Sequence, residues 1–507
     1  MRSPHEGWRS ARRPGASPAP TTAGRAPQTA TPADAPRVVG RRRLAAPTPA
    51  AAPAEGREGG LASSYDWPWK GVEWSLTYVA FLVYIFVVTT YKLRIGDVAM
   101  AGALLGVLFV RQGVRVTAPL LWMGAWVVWS AIGSLQSEYS SLVMDEVITI
   151  GKVWLIAFVA VNTLRTKATI RLYCVFFLGC YALFPTRGAI FNYLGGYTVF
   201  GRALWNYIYS NPNDLAALTL LQLSIAVSLL RVEWHKWTRY CVLLGCAVLP
   251  VLILMTQSRG AFLALAIFVA LYIAGQKKRA RALIAVGALA AIVVMAAPGG
   301  VWKRVSGLAH FGTQTSELKQ VDEEGSAFQR YEIWRVARAI IADHPAFGVG
   351  FGAYPEAHRA YVAGGGFNRV ARGGRDTHST YLNVAAETGF IGLTLFMAAM
   401  IAVLASAERA RRRWRAVIPD GAQQLYALEL GMIAYLIAGL FGSFAKLSFL
   451  YLHVALLVAV AHWLEEAGRE ALARQGLGTP RRGGLPRAAT PLSGAVSAPL
   501  PSPSGAR

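Results

Sequence analysis

Between residues 74 and 464 the chain divides into about twelve apolar segments, each near or above the length that crosses a ~30 Å hydrocarbon core. They cover approximately 74–91, 95–110, 118–135, 147–163, 168–185, 213–230, 238–256, 260–275, 280–298, 384–405, 425–444 and 447–464. A lipid-embedded backbone must satisfy its own hydrogen bonds, which a single segment does only as a helix. Composition agrees, with 54% hydrophobic and 15% charged residues. The reading is an all-α polytopic membrane protein of about 12 transmembrane helices.

Charge orients the helices. With the N-terminus inside, five consecutive inner loops hold Arg111 and Arg115; Arg165, Lys167 and Arg171; Arg231, Lys236 and Arg239; Lys277, Lys278, Arg279 and Arg281; and Arg409, Arg411, Arg412, Arg413 and Arg415. The short outer loops hold far fewer, and one carries Glu138, Asp145 and Glu146 instead. This is the positive-inside pattern. It accounts for the formal net charge of +24 through orientation and contact with anionic membrane lipids, with no nucleic-acid partner. Residues 1–64 and 468–507 are Ala-, Pro- and Arg-rich with almost no large apolar residues, and read as disordered cytoplasmic tails. No apolar core follows the first basic residues, so no secretory leader is expected. The remainder divides into a membrane domain of about nine helices (65–298), one large outer loop (299–383) and a last three-helix membrane domain (384–467). Cys174, Cys180, Cys241 and Cys246 lie in apolar segments without a CxxC pair, which speaks against a zinc site or a disulfide framework.

The outer side gathers the chemistry-bearing residues. Arg259, in TQSRGAFL, stands at the outer junction of two apolar segments, against the charge trend. There an arginine either snorkels to the interface or clamps an anion at headgroup depth. Arg330 opens an amphipathic helix over about 326–342, with Ser326 as N-cap and Pro345 as stop. Arg330, Trp334 and Arg338 share one stripe, and Ile333, Val336, Ala337, Ile340 and Ile341 form the apolar face. The glycines of GVGFG (348–352) have neither a preceding strand nor a following GK[ST], so they read as a tight turn beside the membrane surface or a sugar. His378, in DTHSTYL, can be neutral at pH 7 and accept a proton. Glu387 starts the next apolar run, either orienting another polar group or lying near the surface. The smaller outer loop 186–212, rich in Tyr, Trp, Asn and Gly, suits sugar stacking or interfacial anchoring.

The ordered set SRGAFL, R-x-x-x-W, HP-x-x-GVGFG, H-S-x-Y-L and E-x-G-x-x-GL resembles the O-antigen ligase and O-antigen polymerase superfamily, with the motifs covering residues 211–392. The resemblance implies a C-type glycosyltransferase-like fold with a large periplasmic loop in the bacterial inner membrane. It implies a donor glycan on undecaprenyl diphosphate and, as acceptor, lipid A core, a growing glycan or a protein hydroxyl. Carried over, Arg259 and Arg330 hold the donor diphosphate and His378 acts on the acceptor hydroxyl. Glu387, Trp334, Tyr381 and Asn213 stand as supporting residues. Neither a metal nor another cofactor is expected, and transfer is expected to invert the anomeric centre. A polymerase on the same scaffold is the alternative. A transporter ranks lower, because deep ionisable residues are few and no repeat relates the two halves.

Overall fold

The computed structural model describes residues 67–109, 113–232, 234–296 and 326–475. The expected N-terminal tail, the expected C-terminal tail from 476 onward and the first part of the large loop, 299–325, lie outside the described residues. Each of the twelve apolar segments lies for the most part within a helix: α1 Leu76–Thr90, α2 Gly96–Leu108, α3 Ala118–Ser134, α4 Ser140–Thr163, α5 Lys167–Tyr181, α7 Pro212–Leu229, α8 Lys236–Met255, α9 Arg259–Gly275, α10 Arg279–Ala296, α13 Thr380–Trp414, α14 Pro419–Ala438 and α15 Ser448–Arg474. Three further helices are α6 Arg187–Leu194, α11 Ser326–Asp343 and α12 Tyr354–Ala363. Among the described residues there is no strand beyond a single two-residue bridge. Five helical stretches are by themselves long and apolar enough to cross a membrane: Lys167–Leu194, α7, α8, α13 and α15. The protein is an all-helical membrane protein.

Two helices form the interior. Residues Leu215–Leu229 of α7 and Phe449–Ala461 of α15 are buried on every side. A helix apolar all round belongs in such a position. α14 packs on α7 and α9, and α13 packs on α3 and α15. On the periphery, Leu105, Leu108, Leu121, Val128, Leu243 and Leu244 are exposed. An exposed apolar belt of this extent suits lipid. Small residues allow close crossings: a Cβ on Gly431 of α14 would lie 2.2 Å from Ser224 Oγ of α7.

Several helix ends differ from the expected bounds, and three of them show how. α5 continues to Leu194 through a π-helical stretch, Ala182–Thr186, which contains Pro185. Proline lacks the donor that a regular turn needs, and the wider turn accommodates it. α14 stops at Ala438 rather than 444, because Thr380 Oγ1 donates to Gly442 O at 2.7 Å and accepts from Phe444 N at 2.9 Å, holding 439–447 as a loop. α15 runs on to Arg474, past the expected tail boundary at 468, with Gly468 closely packed on Trp414 and Leu472 buried.

The connections segregate into two ends. At one, Asn162 Oδ1 accepts from Arg115 N at 2.7 Å, Arg115 pairs with Glu466 at 2.6 Å, and Arg231 donates to Gln276 at 2.8 Å. At the other, Ser137 donates to Val349 O at 2.6 Å, Arg202 donates to Thr256 O at 2.8 Å, and Lys446 pairs with Glu146 at 3.3 Å. The first end holds the basic loops expected inside; the second holds those expected outside. In a variant lacking the four native cysteines, Lys278→Cys and Ala363→Cys should therefore react with a membrane-impermeant maleimide from opposite sides of sealed vesicles. Labelling of both from one side would break the alternation.

Candidate functional site

The site is built on an exchange of backbone hydrogen bonds. Within α13, Gly389 has φ 69° and ψ −175°, so the helix is broken there. A regular helix would pair Phe390 N with Ala386 O. Instead Phe390 N donates to Pro345 O at 2.8 Å, and Ala386 O accepts from Val349 N at 2.9 Å. Gly350 N adds a bond to Glu387 O at 3.0 Å. The Gly348–Gly352 turn thus fills the opened ladder, and the groups freed by the kink stay satisfied. The expectation that this turn faces the membrane surface or a sugar is corrected here: it faces the kink of α13. Gly348 has φ 69°, and a Cβ there would lie 2.4 Å from the Glu387 carbonyl carbon. Phe347 stacks on Trp129 at 4.6 Å, and Phe351 meets Trp126 edge-on.

Glu387 is almost completely buried beside this seam. It accepts from the backbone of Gly352 and from the Asn383 side chain, and its Oε1 lies 3.6 Å from Lys446 Nζ. Lys446 also pairs with Glu146 and sits 4.8 Å over the Phe351 ring. Burial alone would depress the lysine, but Glu387 and Glu146 raise its pKa above the ordinary value. Of the two roles open to Glu387, orienting a polar partner is the one found.

His378 precedes α13 and has φ +49°. For a residue with a side chain this costs about 1–3 kcal/mol and persists only where neighbours hold it. They do. Thr377 O accepts from Trp334 Nε1 at 2.8 Å, Thr377 Oγ1 bonds Ser443 Oγ at 2.8 Å, and Thr380 N donates to Gly439 O at 2.7 Å. Trp334 is therefore a strut for the histidine arc. The imidazole is half-buried, and its pKa is lowered by burial and by the Arg330 guanidinium, with Arg375 and Arg202 adding to the effect and Asp376 opposing it. The shift favours the neutral imidazole.

Arg202 was not among the residues singled out from sequence. Its Nε donates to Thr256 O at 2.8 Å, and its terminal nitrogen donates to Asn213 Oδ1 at 2.7 Å. Asn213, at the start of α7, therefore orients Arg202. Gln257 Nε2 donates to Gly201 O and Ala203 N to Met255 O, each at 2.9 Å, fastening the 186–212 loop to the corner that starts α9. Arg259 is the first residue of α9 and is half-buried; the adjacent Gly260 packs on Phe441. Loop 439–447 thus touches both the Arg259 corner and the His378 arc. Tyr381 donates to Leu436 O at 2.7 Å, which makes it a tie between α13 and α14. On α11, Ile333, Val336, Ala337, Ile340 and Ile341 are buried as the pattern required, and Arg338 is exposed.

The structure therefore brings Arg330 and Arg202 to His378, and joins Arg259 to the same frame through loop 439–447. Lone arginines and lysines outside the quoted motifs gave no signal in sequence, although Arg202 lies eleven residues before Asn213 and Lys446 interrupts two apolar segments. Among the described residues, no group of three or more His, Cys, Asp or Glu is placed to hold a metal ion.

Residues 241–397, from α8 into α13, match the family model described as O-antigen ligase. Over this stretch the chain is similar to the O-antigen ligase family. The match contains Arg259, Arg330, Trp334, His378, Tyr381 and Glu387; Arg202, Asn213 and Lys446 lie outside it. No curated protein gives a significant match. The match supports a ligase- or polymerase-type function.

The seam yields a contrast. Gly348→Ala should lower stability by at least about 2 kcal/mol, through positive φ and the backbone clash. Gly151→Ala, inside α4 with nothing within 4 Å of the new Cβ, should raise it by roughly 0.5–1 kcal/mol. Thermal unfolding in detergent checks both signs.

Proposed function

We propose that this protein transfers a glycan from undecaprenyl diphosphate to an acceptor hydroxyl, on lipid A core or a similar molecule, at the periplasmic face of the bacterial inner membrane. The observation that carries the reading is His378, held in a left-handed conformation with Arg330, Arg375 and Arg202 near enough to lower its pKa, inside the stretch that matches the O-antigen ligase family. The periplasmic placement rests on the loop charges, with about twelve spans and both termini cytoplasmic.

In this mechanism Arg259 and Arg330 hold the donor diphosphate. Guanidinium groups bind phosphate oxygens in a bidentate manner, and preorganised in a half-dry site they stabilise charge that develops on the leaving group. His378 takes the acceptor proton as the hydroxyl oxygen attacks the anomeric carbon. The new C–O bond forms as the bond to the diphosphate oxygen breaks, undecaprenyl diphosphate departs as the anion, and attack from the opposite face inverts the centre. The arginines carry the leaving charge, so no metal is required. A positioned base contributes about 10²–10⁴ in rate. Trp334 and Glu387 position the site; Tyr381 and Asn213 support it through α14 and Arg202.

With undecaprenyl-diphosphate glycan and candidate acceptors in detergent, His378→Ala should lose transfer by at least about 10²-fold while retaining its thermal transition. Arg259→Ala and Arg330→Ala should weaken donor binding. Full activity in the histidine variant, or unchanged donor affinity in both arginine variants, would remove the assigned roles. The product pattern separates the two superfamily activities, since single transfer to one acceptor marks a ligase and a ladder of lengthened donor marks a polymerase.

The pH profile gives an independent check. The base works when neutral, so activity falls as pH drops through the His378 pKa. That pKa lies below the ordinary histidine value of about 6.5, so the acid limb should lie below about 6.5. Arg330→Gln removes a cation that disfavours imidazolium, so its limb should move to higher pH; Arg330→Lys, which keeps the charge, should leave it nearly in place. The position of the limb decides, whatever the height of the plateau.

A further inference from the structure

At the end of the molecule opposite to His378, a cavity of about 940 Å³ opens between α7, α8, α9, α10 and α14. Its depth is apolar, lined by Leu223, Val227, Pro250, Leu254, Leu265 and Phe268. Its mouth carries Arg231, Lys277, Lys278 and Arg281, with Asp420 as the one carboxylate.

Two features mark this mouth as built for an anion. Arg231 is held on α9 and the residue after it, through the Tyr272 hydroxyl and a 2.8 Å bond to Gln276 Oε1. That bond fixes the orientation of the Gln276 amide, and its Nε2 is then a buried donor without an acceptor. Across the cavity, Gln423 Nε2 on α14 is likewise buried without an acceptor. A buried unpaired amide donor costs about 1–3 kcal/mol. Two of them in one lining, beneath four cations, call for a ligand with several acceptor oxygens. The apolar shaft below calls for hydrocarbon on the same ligand. A soluble anion would satisfy the mouth and leave the shaft empty; a neutral lipid would fill the shaft and leave the cations and amides unmatched.

We propose that this cavity binds an anionic diacyl phospholipid, its phosphate between Arg231, Gln276 and Gln423 and its acyl chains along the α8–α9 shaft. Lys277, Lys278 and Arg281 add attraction at the headgroup, each by about fivefold in affinity. The site stands apart from the transfer chemistry, so the proposal does not depend on which glycan is moved.

The test is native mass spectrometry of the full chain released from neutral detergent, titrated with phosphatidylglycerol or phosphatidylcholine. Phosphatidylglycerol should bind at least tenfold more tightly. Lys277→Ala with Lys278→Ala, in an exposed turn whose loss should not disturb folding, should reduce that preference by about tenfold or more. Gln276→Leu, which removes a partner of the phosphate that both lipids carry, should weaken both, and the double lysine variant alone should change the preference. Leu265→Trp, which fills the shaft and leaves the rim intact, should block both lipids, and glycerol phosphate at millimolar concentration should not compete. Equal binding of the two lipids, an unchanged preference in the double lysine variant, competition by glycerol phosphate, or selective retention of a polyprenyl phosphate in place of the phospholipid would each overturn the assignment.

Discussion

The interior of this protein depends on a helix that is broken and then mended by another part of the chain. Where Gly389 interrupts α13, the donor at Phe390 and the acceptor at Ala386 lose each other and find Pro345 O and Val349 N. In a low-dielectric setting neither group could be left open without a cost comparable to a lost hydrogen bond. The loop therefore cannot detach from the membrane body without exposing the break, and the break cannot close without expelling the loop. This mutual dependence pins the C-terminal end of α11. The Trp334–Thr377 bond pins the same helix further back, so Arg330, one turn before Trp334, is placed by two fixed points. Glu387 and Lys446 then tie the seam to the loop before α15, and that loop in turn holds Thr380.

A second constraint is electrostatic. Arg330, Arg375 and Arg202 all disfavour a charged His378, and only Asp376 acts against them. Cations gathered in a half-dry site repel one another, and an anionic ligand relieves that repulsion. The same arrangement has two chemical consequences: it lowers the pKa of the imidazole, and it makes the place hospitable to an anion. Neither requires the histidine and the arginines to touch. What is required is that each be held where it cannot retreat into solvent, and the carbonyl of Thr256, the amide of Asn213 and the left-handed turn at His378 serve that purpose.

The helices were legible in sequence because hydrophobicity and length alone decide which segments enter lipid, and all twelve apolar segments are helical for most of their length. Their ends were less so. α14 stops at Ala438 because of a hydroxyl at Thr380, more than fifty residues away in the chain, and no local pattern carries that information. The site divides in the same manner. Arg259, Arg330 and His378 stood out because each sits in a recognisable string on the expected outer side. Arg202 and Lys446 did not, since their significance lies in partners distant in sequence or in a frame visible only after folding. The GVGFG glycines were read as a turn, but what they turn against is a tertiary matter.

The two ends of the molecule use basic residues in different ways. At the basic end the lysines and arginines are numerous, mostly exposed, and several are paired through solvent-facing carboxylates such as Glu466. Such pairs contribute little to stability, and their value lies in orientation and attraction to lipid. At the other end Arg202 is bound to a backbone carbonyl and a side-chain amide. Neutral acceptors such as these fix the position of a guanidinium without themselves cancelling its charge, and a guanidinium held in place can bind phosphate oxygens in a bidentate manner.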